Sequence, residues 1–115
     1  MPVLAVYGTL RRGEGNSDAL LRGCRHLGVK RLKGFTLYDG GGFPYAVPDI
    51  NGQITVDLFE VTPFHLERTD KLEGVPYHYR RIQTVGGFYI YVTTARRVGY
   101  LPKIASGDWK RRDEP

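Results

Sequence analysis

Cysteine, methionine and tryptophan occur once each in 115 residues. The single thiol, Cys24, excludes an internal disulfide or a cysteine-based metal cluster, and a reducing, cytoplasmic compartment is expected. Cys24 also lacks the local signature of a nucleophile and reads as a small buried residue. Long apolar runs are missing: none approaches the roughly 20 residues of a membrane span, so no membrane partner is expected. The opening, Met1 to Tyr7, has no basic flank and is too short for a signal peptide's apolar region. The three histidines, His26, His65 and His78, show no metal-ligand spacing with one another or with carboxylates. Gly13-Glu14-Gly15 and Gly40-Gly41-Gly42 match neither a phosphate loop nor a dinucleotide fingerprint, and Ser106 lies in no nucleophile elbow. No metal and no cofactor are expected.

What is present is glycine (15 residues) and proline (7), with 41% hydrophobic residues. That composition supports a packed core rich in turns and strands. The length suits one domain, expected over residues 1–109, with 110–115 as a flexible tail. The net charge is +5. It is concentrated in residues 11–33, which hold seven basic side chains against Glu14 and Asp18. Such a sector suits an anionic ligand or serves as a solvated face. Nucleic acid is the least favoured partner, because no recognition helix or RNA-binding sheet motif accompanies the charge. The oligomeric state is not legible.

Val3 to Tyr7 is a nearly continuous apolar run, as in a strand buried on both faces. It ends at Gly8-Thr9-Leu10. Asn16, Ser17 or Asp18 is expected to cap a short helix that Gly23 stops. Residues 27–38 read as one strand bent at Gly34, and residues 43–48 as extended. Asn51-Gly52 predicts a hairpin turn, and Ile54, Val56, Leu58 and Val61 a strand. Thr62-Pro63 opens a second helix that runs to about Glu73 and ends at Gly74. Tyr77–Ile82 and Phe88–Val92 are expected as strands joined across Gly86-Gly87. The expected fold class is α+β, a small mixed β-barrel of five to six strands with two short flanking helices.

Three features bear on chemistry. Successive amides of the strand-ending turn Tyr7-Gly8-Thr9-Leu10 suit an anionic group, although an ordinary turn has the same sequence. Glu73 falls seven residues after Leu66, within about 20° of it around a helix axis, beside the apolar stripe. Partial burial and the helix C-terminus would both raise its pKa, as a general acid/base requires. A solvated, ion-paired glutamate fits the same position. Third, alternation would place Tyr77, Tyr79 and Arg81 on one strand face, either around a polar ligand or as an amphipathic lid on the core.

Taken together these segments resemble the γ-glutamylcyclotransferase-like family, also called AIG2-like or BtrG-like. Val6-Tyr7-Gly8-Thr9-Leu10-Arg11-Arg12-Gly13, with Asn16 following, resembles the family's Y-G-S/T-L-R/K-x-G signature. Asp70-Lys71-Leu72-Glu73-Gly74 resembles its L-D-x-x-E-G segment, with Thr69 in place of the leucine. Tyr79-Arg80-Arg81, Tyr91-Val92 and Ser106-Gly107-Asp108-Trp109 resemble later family segments. The resemblance implies an enzyme that cyclises a γ-glutamyl group to 5-oxoproline and releases an amine, without metal or cofactor. It implies Glu73 as catalytic acid/base, Gly8, Thr9 and Leu10 as substrate-binding amides, and Tyr7, Tyr79 and Arg81 as further substrate contacts. The alternative is a non-catalytic or differently catalytic module that holds a small anionic metabolite or nucleotide in the same cavity.

Overall fold

In the computed structural model, which describes residues 1–114, the chain forms a mixed five-stranded sheet with short helices. Of the tail expected at 110–115, Pro115 lies outside the described residues. The elements are β1 (Val3–Val6), α1 (Gly15–Leu20), β2 (His26–Asp39), β3 (Pro44–Glu60), α2 (Pro63–Glu73), β4 (Arg80–Gln83), β5 (Tyr89–Val92) and α3 (Ala95–Val98). A single 3-10 turn follows at Trp109–Arg111. The strand order is β2-β3-β1-β5-β4, with β1 and β5 parallel and the other pairs antiparallel. β2 and β4 form the two edges, so the sheet is not closed and the expected barrel describes it only loosely.

The apolar run of β1 is buried on both sides because a strand sends alternate side chains to opposite faces. Ala5 and Tyr7 join Leu37, Ile54, Val56, Ile90, Val92 and Trp109 in one core layer. Leu4 and Val6 join Leu10, Leu21, Val61, Leu66 and Tyr91 in the other. The register fits this: Leu4 lies opposite Phe59 of β3 and beside Tyr89 of β5.

Four sequence expectations are corrected. Asn51-Gly52 is no hairpin turn: β3 continues through it, and the β2–β3 turn lies at residues 40–43. Lys33 pairs with Gln53 and Phe35 with Pro48, so residues 49–52 bulge out of the ladder. A Cβ on Gly52 would lie 2.1 Å from the Phe35 carbonyl oxygen, which explains the glycine by close approach. Second, Glu14 occupies the α1 cap position, without a side-chain hydrogen bond; Asn16 instead reaches across to Thr9. Third, β4 starts at Arg80. The Tyr77 and His78 amides both donate to the Gly74 carbonyl at 2.9 Å, which winds this stretch into a turn and leaves Tyr77 84% exposed, away from Tyr79. Fourth, α3 was not expected; Thr94 caps it by accepting from the Arg97 amide at 3.2 Å.

α2 forms as expected. Thr62 accepts from the His65 amide while His65 Nδ1 accepts from the Thr62 amide, which closes a capping box. Gly74 ends the helix at φ 66°, a left-handed cap that suits glycine. Leu66, Thr69 and Glu73 lie on the inward side of the helix. Thr69 Oγ1 lies 2.6 Å from the Tyr91 hydroxyl, which donates to Asp70 at 2.6 Å. This polar joint fixes the C-terminal half of α2 against β5.

A second joint fixes the turn after β1. Arg11 is buried; its Nε donates to Asp57 at 2.9 Å and its Nη1 to Asp108 at 2.6 Å. Asp57 also accepts from the Arg12 amide and contacts His26 Nε2 at 2.8 Å. Burial alone would raise the Asp57 pKa, but hydrogen bonds from Arg11 and His26 outweigh it and hold the carboxyl below its ordinary 3.8. The Asp108 end is held in turn by Gly107, whose carbonyl accepts from the Thr55 amide at 2.8 Å, and by Trp109 in the core.

Two outcomes follow. Tyr91→Phe removes the donor to Asp70 and should lower unfolding free energy in urea by about 1–2 kcal/mol. Arg11→Ala strands Asp57 among buried atoms and should cost about 3–5 kcal/mol at neutral pH. Because the folded Asp57 pKa is depressed, its contribution is present above the unfolded value near 4 and is lost as pH falls through the folded value. The gap between wild type and Arg11→Ala in urea titrations should therefore narrow under acid.

Candidate active site

The turn after β1 and the end of α2 meet at one cavity of about 420 Å³, lined by Thr9, Asn16, Gly42, Phe43, Tyr45, Leu72, Glu73, His78 and Tyr79. Its floor is aromatic. Tyr45 and Tyr79 stack with centroids 5.3 Å apart, and Phe43 meets Tyr45 edge-on at 5.2 Å. The Tyr79 hydroxyl donates to the Pro44 carbonyl at 2.8 Å, which holds the ring in place.

Gly8-Thr9-Leu10-Arg11 is a tight turn closed by the Arg11 amide donating to the Gly8 carbonyl at 3.0 Å. A Cβ on Gly8 would lie 2.6 Å from the Pro44 ring, so the glycine lets the turn pack against β3. Among the described residues, no protein acceptor faces the Gly8, Thr9 and Leu10 amides. The Leu10 side chain is buried in the core. Asn16 Nδ2 donates to Thr9 Oγ1 at 2.9 Å. With that lone pair occupied, the Thr9 hydroxyl is oriented to give its own proton elsewhere.

Glu73 is half-buried, and among the described residues it has no ion-pair partner. Burial pushes its pKa from 4.5 up to about 7. The helix turns away directly after it: a Cβ on Gly74 would lie 2.7 Å from the His78 ring, so the left-handed glycine also lets His78 close over the turn.

The structure therefore brings together Glu73, Thr9 and Tyr79 from the sequence-derived candidates, with the Gly8 and Leu10 backbone flanking Thr9. Tyr7 lies behind the cavity. It is buried and donates to the Tyr91 carbonyl at 2.7 Å; burial above all, then the neighbouring Tyr79 and Glu73, pushes its hydroxyl pKa up. Arg81 is not brought to the cavity. It pairs with Asp70 at 3.3 Å and lies over the Tyr89 ring at 5.2 Å, because Asp70 sits on the flank of α2 that faces β4. Arg11, the first cation of the basic stretch 11–33, is consumed by Asp57 and Asp108. Sequence reasoning missed Tyr45, Phe43 and His78 as cavity walls. The prolines at 44 and 48 signalled only an extended chain. Among the described residues, no group of three or more His, Cys, Asp or Glu side chains is placed to hold a metal ion.

Comparison with known proteins identifies the family of the chain. Residues 4–111 match the family described as gamma-glutamyl cyclotransferase, AIG2-like. The chain is 36% identical over 112 residues to the gamma-glutamylcyclotransferase family protein YtfP of Escherichia coli, across 95% of this chain and 96% of that one. The solution structure of the E. coli ytfP protein superposes with a TM-score of 0.74 at 35% identity, covering 97% of this chain and 99% of that one. A crystal structure from Pyrococcus horikoshii gives 0.75 at 30% identity, with 96% and 91% covered. An AIG2-like protein of Mus musculus gives 0.74 at 26% identity, with 90% and 85% covered. A profile match over nearly the whole length, together with a relative above 30% identity end to end, shows that the chain belongs to the AIG2-like γ-glutamylcyclotransferase family.

Proposed function

We propose that the protein cleaves a γ-glutamyl amide by attack of the substrate's own α-amine on its γ-carbonyl, releasing 5-oxoproline and a free amine. The observation that carries this reading is Glu73: a half-buried carboxyl without an ion-pair partner, sharing one cavity with the turn after β1.

The chemistry asks little of the protein because nucleophile and electrophile belong to one molecule. Held in the ring-closing conformation, they gain the large effective molarity of oriented reactants. The carboxylate of Glu73 takes a proton from the α-ammonium. The exposed nitrogen lone pair then bonds to the γ-carbon, and the acid so formed protonates the departing nitrogen as its bond to that carbon breaks. Once the new bond has formed, the α-nitrogen loses its second proton by the same relay through Glu73. Overall it gives up two protons and the leaving amine gains both as an ammonium; no water is consumed. The amides of Gly8, Thr9 and Leu10 suit the α-carboxylate or the oxyanion that develops on the γ-oxygen. The Thr9 hydroxyl, oriented by Asn16, adds a donor beside them. The stacked Tyr45 and Tyr79 rings form an apolar wall that excludes water from the reacting carbons.

Glu73→Gln should lower kcat for γ-glutamyl amides by about a hundred- to ten-thousand-fold, the usual size of a general acid/base contribution. Undiminished 5-oxoproline release by that variant removes Glu73 from the mechanism. Retained binding without turnover by the wild type, across a panel of γ-glutamyl compounds, would favour the binding module instead. The pH–rate profile should rise through about pH 7, where the buried carboxyl becomes a base, and not through 4.5. Stability carries an independent signature. With the folded pKa above the unfolded one, ionisation costs stability as pH rises from 4.5 to 7. Glu73→Gln should therefore be more stable than the wild type above pH 7, by about 1–3 kcal/mol, with the difference vanishing below pH 4.5 in thermal melts.

A further inference from the structure

A second, larger cavity of about 700 Å³ opens beside the Glu73 chamber. Tyr45, His78 and Tyr79 line both, so the two cavities adjoin at these three side chains. Their electrostatic character differs. The Glu73 chamber carries a single carboxyl and no lysine or arginine. The second carries Arg80, Arg96 and Arg97 and no aspartate or glutamate. Among the described residues none of these three guanidinium groups is ion-paired. Arg97 contacts the shared wall: its Nη2 donates to His78 Nδ1 at 2.8 Å. That bond holds the guanidinium at the shared wall and leaves its other N–H groups for a further acceptor.

We infer that this chamber receives the leaving half of the substrate, and that Arg97, supported by Arg80 and Arg96, selects amines that bear an anionic group, a carboxylate or a phosphate. The inference rests on the cyclotransferase reading of the Glu73 chamber. Three unpaired cations around one concavity, with no carboxylate to offset them, favour an anion and oppose a cation. The γ-glutamyl half is then held by backbone amides on one side of the wall, and the departing half by side-chain charge on the other.

The test compares four γ-glutamyl amides of similar length, made from β-alanine, phosphoethanolamine, n-propylamine and ethylenediamine. At low salt, kcat/KM for the two anionic compounds should exceed that for the propylamide on the order of tenfold, the size of a charge-assisted hydrogen bond, with the ethylenediamine compound slowest. The two anionic arms distinguish a carboxylate from a phosphate. The preference should shrink as sodium chloride is raised, because Arg80, Arg96 and Arg97 are exposed and their charges are screened. It should collapse in Arg97→Gln; should that variant not fold, Arg80→Gln and the salt series on the wild type decide. Equal kcat/KM for anionic and neutral compounds, or a preference unchanged in the arginine variants and in salt, overturns the subsite while leaving the cyclotransferase intact. No turnover of any of the four overturns both.

Discussion

The buried guanidinium of Arg11 is the constraint around which the rest is arranged. It comes from the turn after β1, and its two partners come from the C-terminal part of β3 and from the C-terminal segment of the chain. Three stretches distant in sequence are thus locked at one point. A buried cation is tolerable only when its donors are matched, so Asp57 and Asp108 are as much a requirement of the turn as the turn's own glycine. Gly107 and Trp109 extend the same logic: one brings the backbone against β3, the other plugs the core, and between them Asp108 has little freedom to move away. The turn after β1 is consequently anchored by charge, and among the described residues its Gly8, Thr9 and Leu10 amides have no protein acceptor.

Glu73 shows the opposite treatment. Most carboxylates near the core of this protein are neutralised, Asp57 by Arg11 and Asp70 by Arg81 and Tyr91. Glu73 lies three residues beyond Asp70 on the same helix and, among the described residues, has no ion-pair partner. The cost of burial appears as a pKa near 7, which places the group between its two protonation states around neutrality. The joint of Thr69 and Tyr91 matters here because it fixes the C-terminal half of α2 by polar contacts.

Much of this was legible in the sequence. The apolar run of β1, the Thr62-Pro63 start and Gly74 end of α2, and the inward placement of Glu73 follow from local rules of burial and capping. The Asn51-Gly52 turn failed because the same dipeptide that closes a hairpin also serves as a bulge when a neighbouring strand passes within contact of the glycine. Tyr77 was misplaced for a related reason. Period-two alternation was applied from Tyr77, but the amides of Tyr77 and His78 are spent on Gly74, and the strand begins later. The fates of Arg11, Tyr45 and His78 depend on partners between nineteen and ninety-seven residues away, which no window of sequence displays.

The unclosed sheet has a consequence for the basic stretch of residues 11–33. One end of the β2 edge is covered: the Asp39 amide donates to Pro102 and the Ile104 amide to Leu37, with Tyr38 bridging Lys103. The other end lies bare, and it carries Lys30 and Lys33, both exposed. A second copy approaching to extend the ladder would bring like charges into register and bury ammonium groups that want water. Seen this way, part of the protein's positive charge works as a guard on an unfinished edge, keeping hydrogen-bonding groups that face outward from recruiting another sheet.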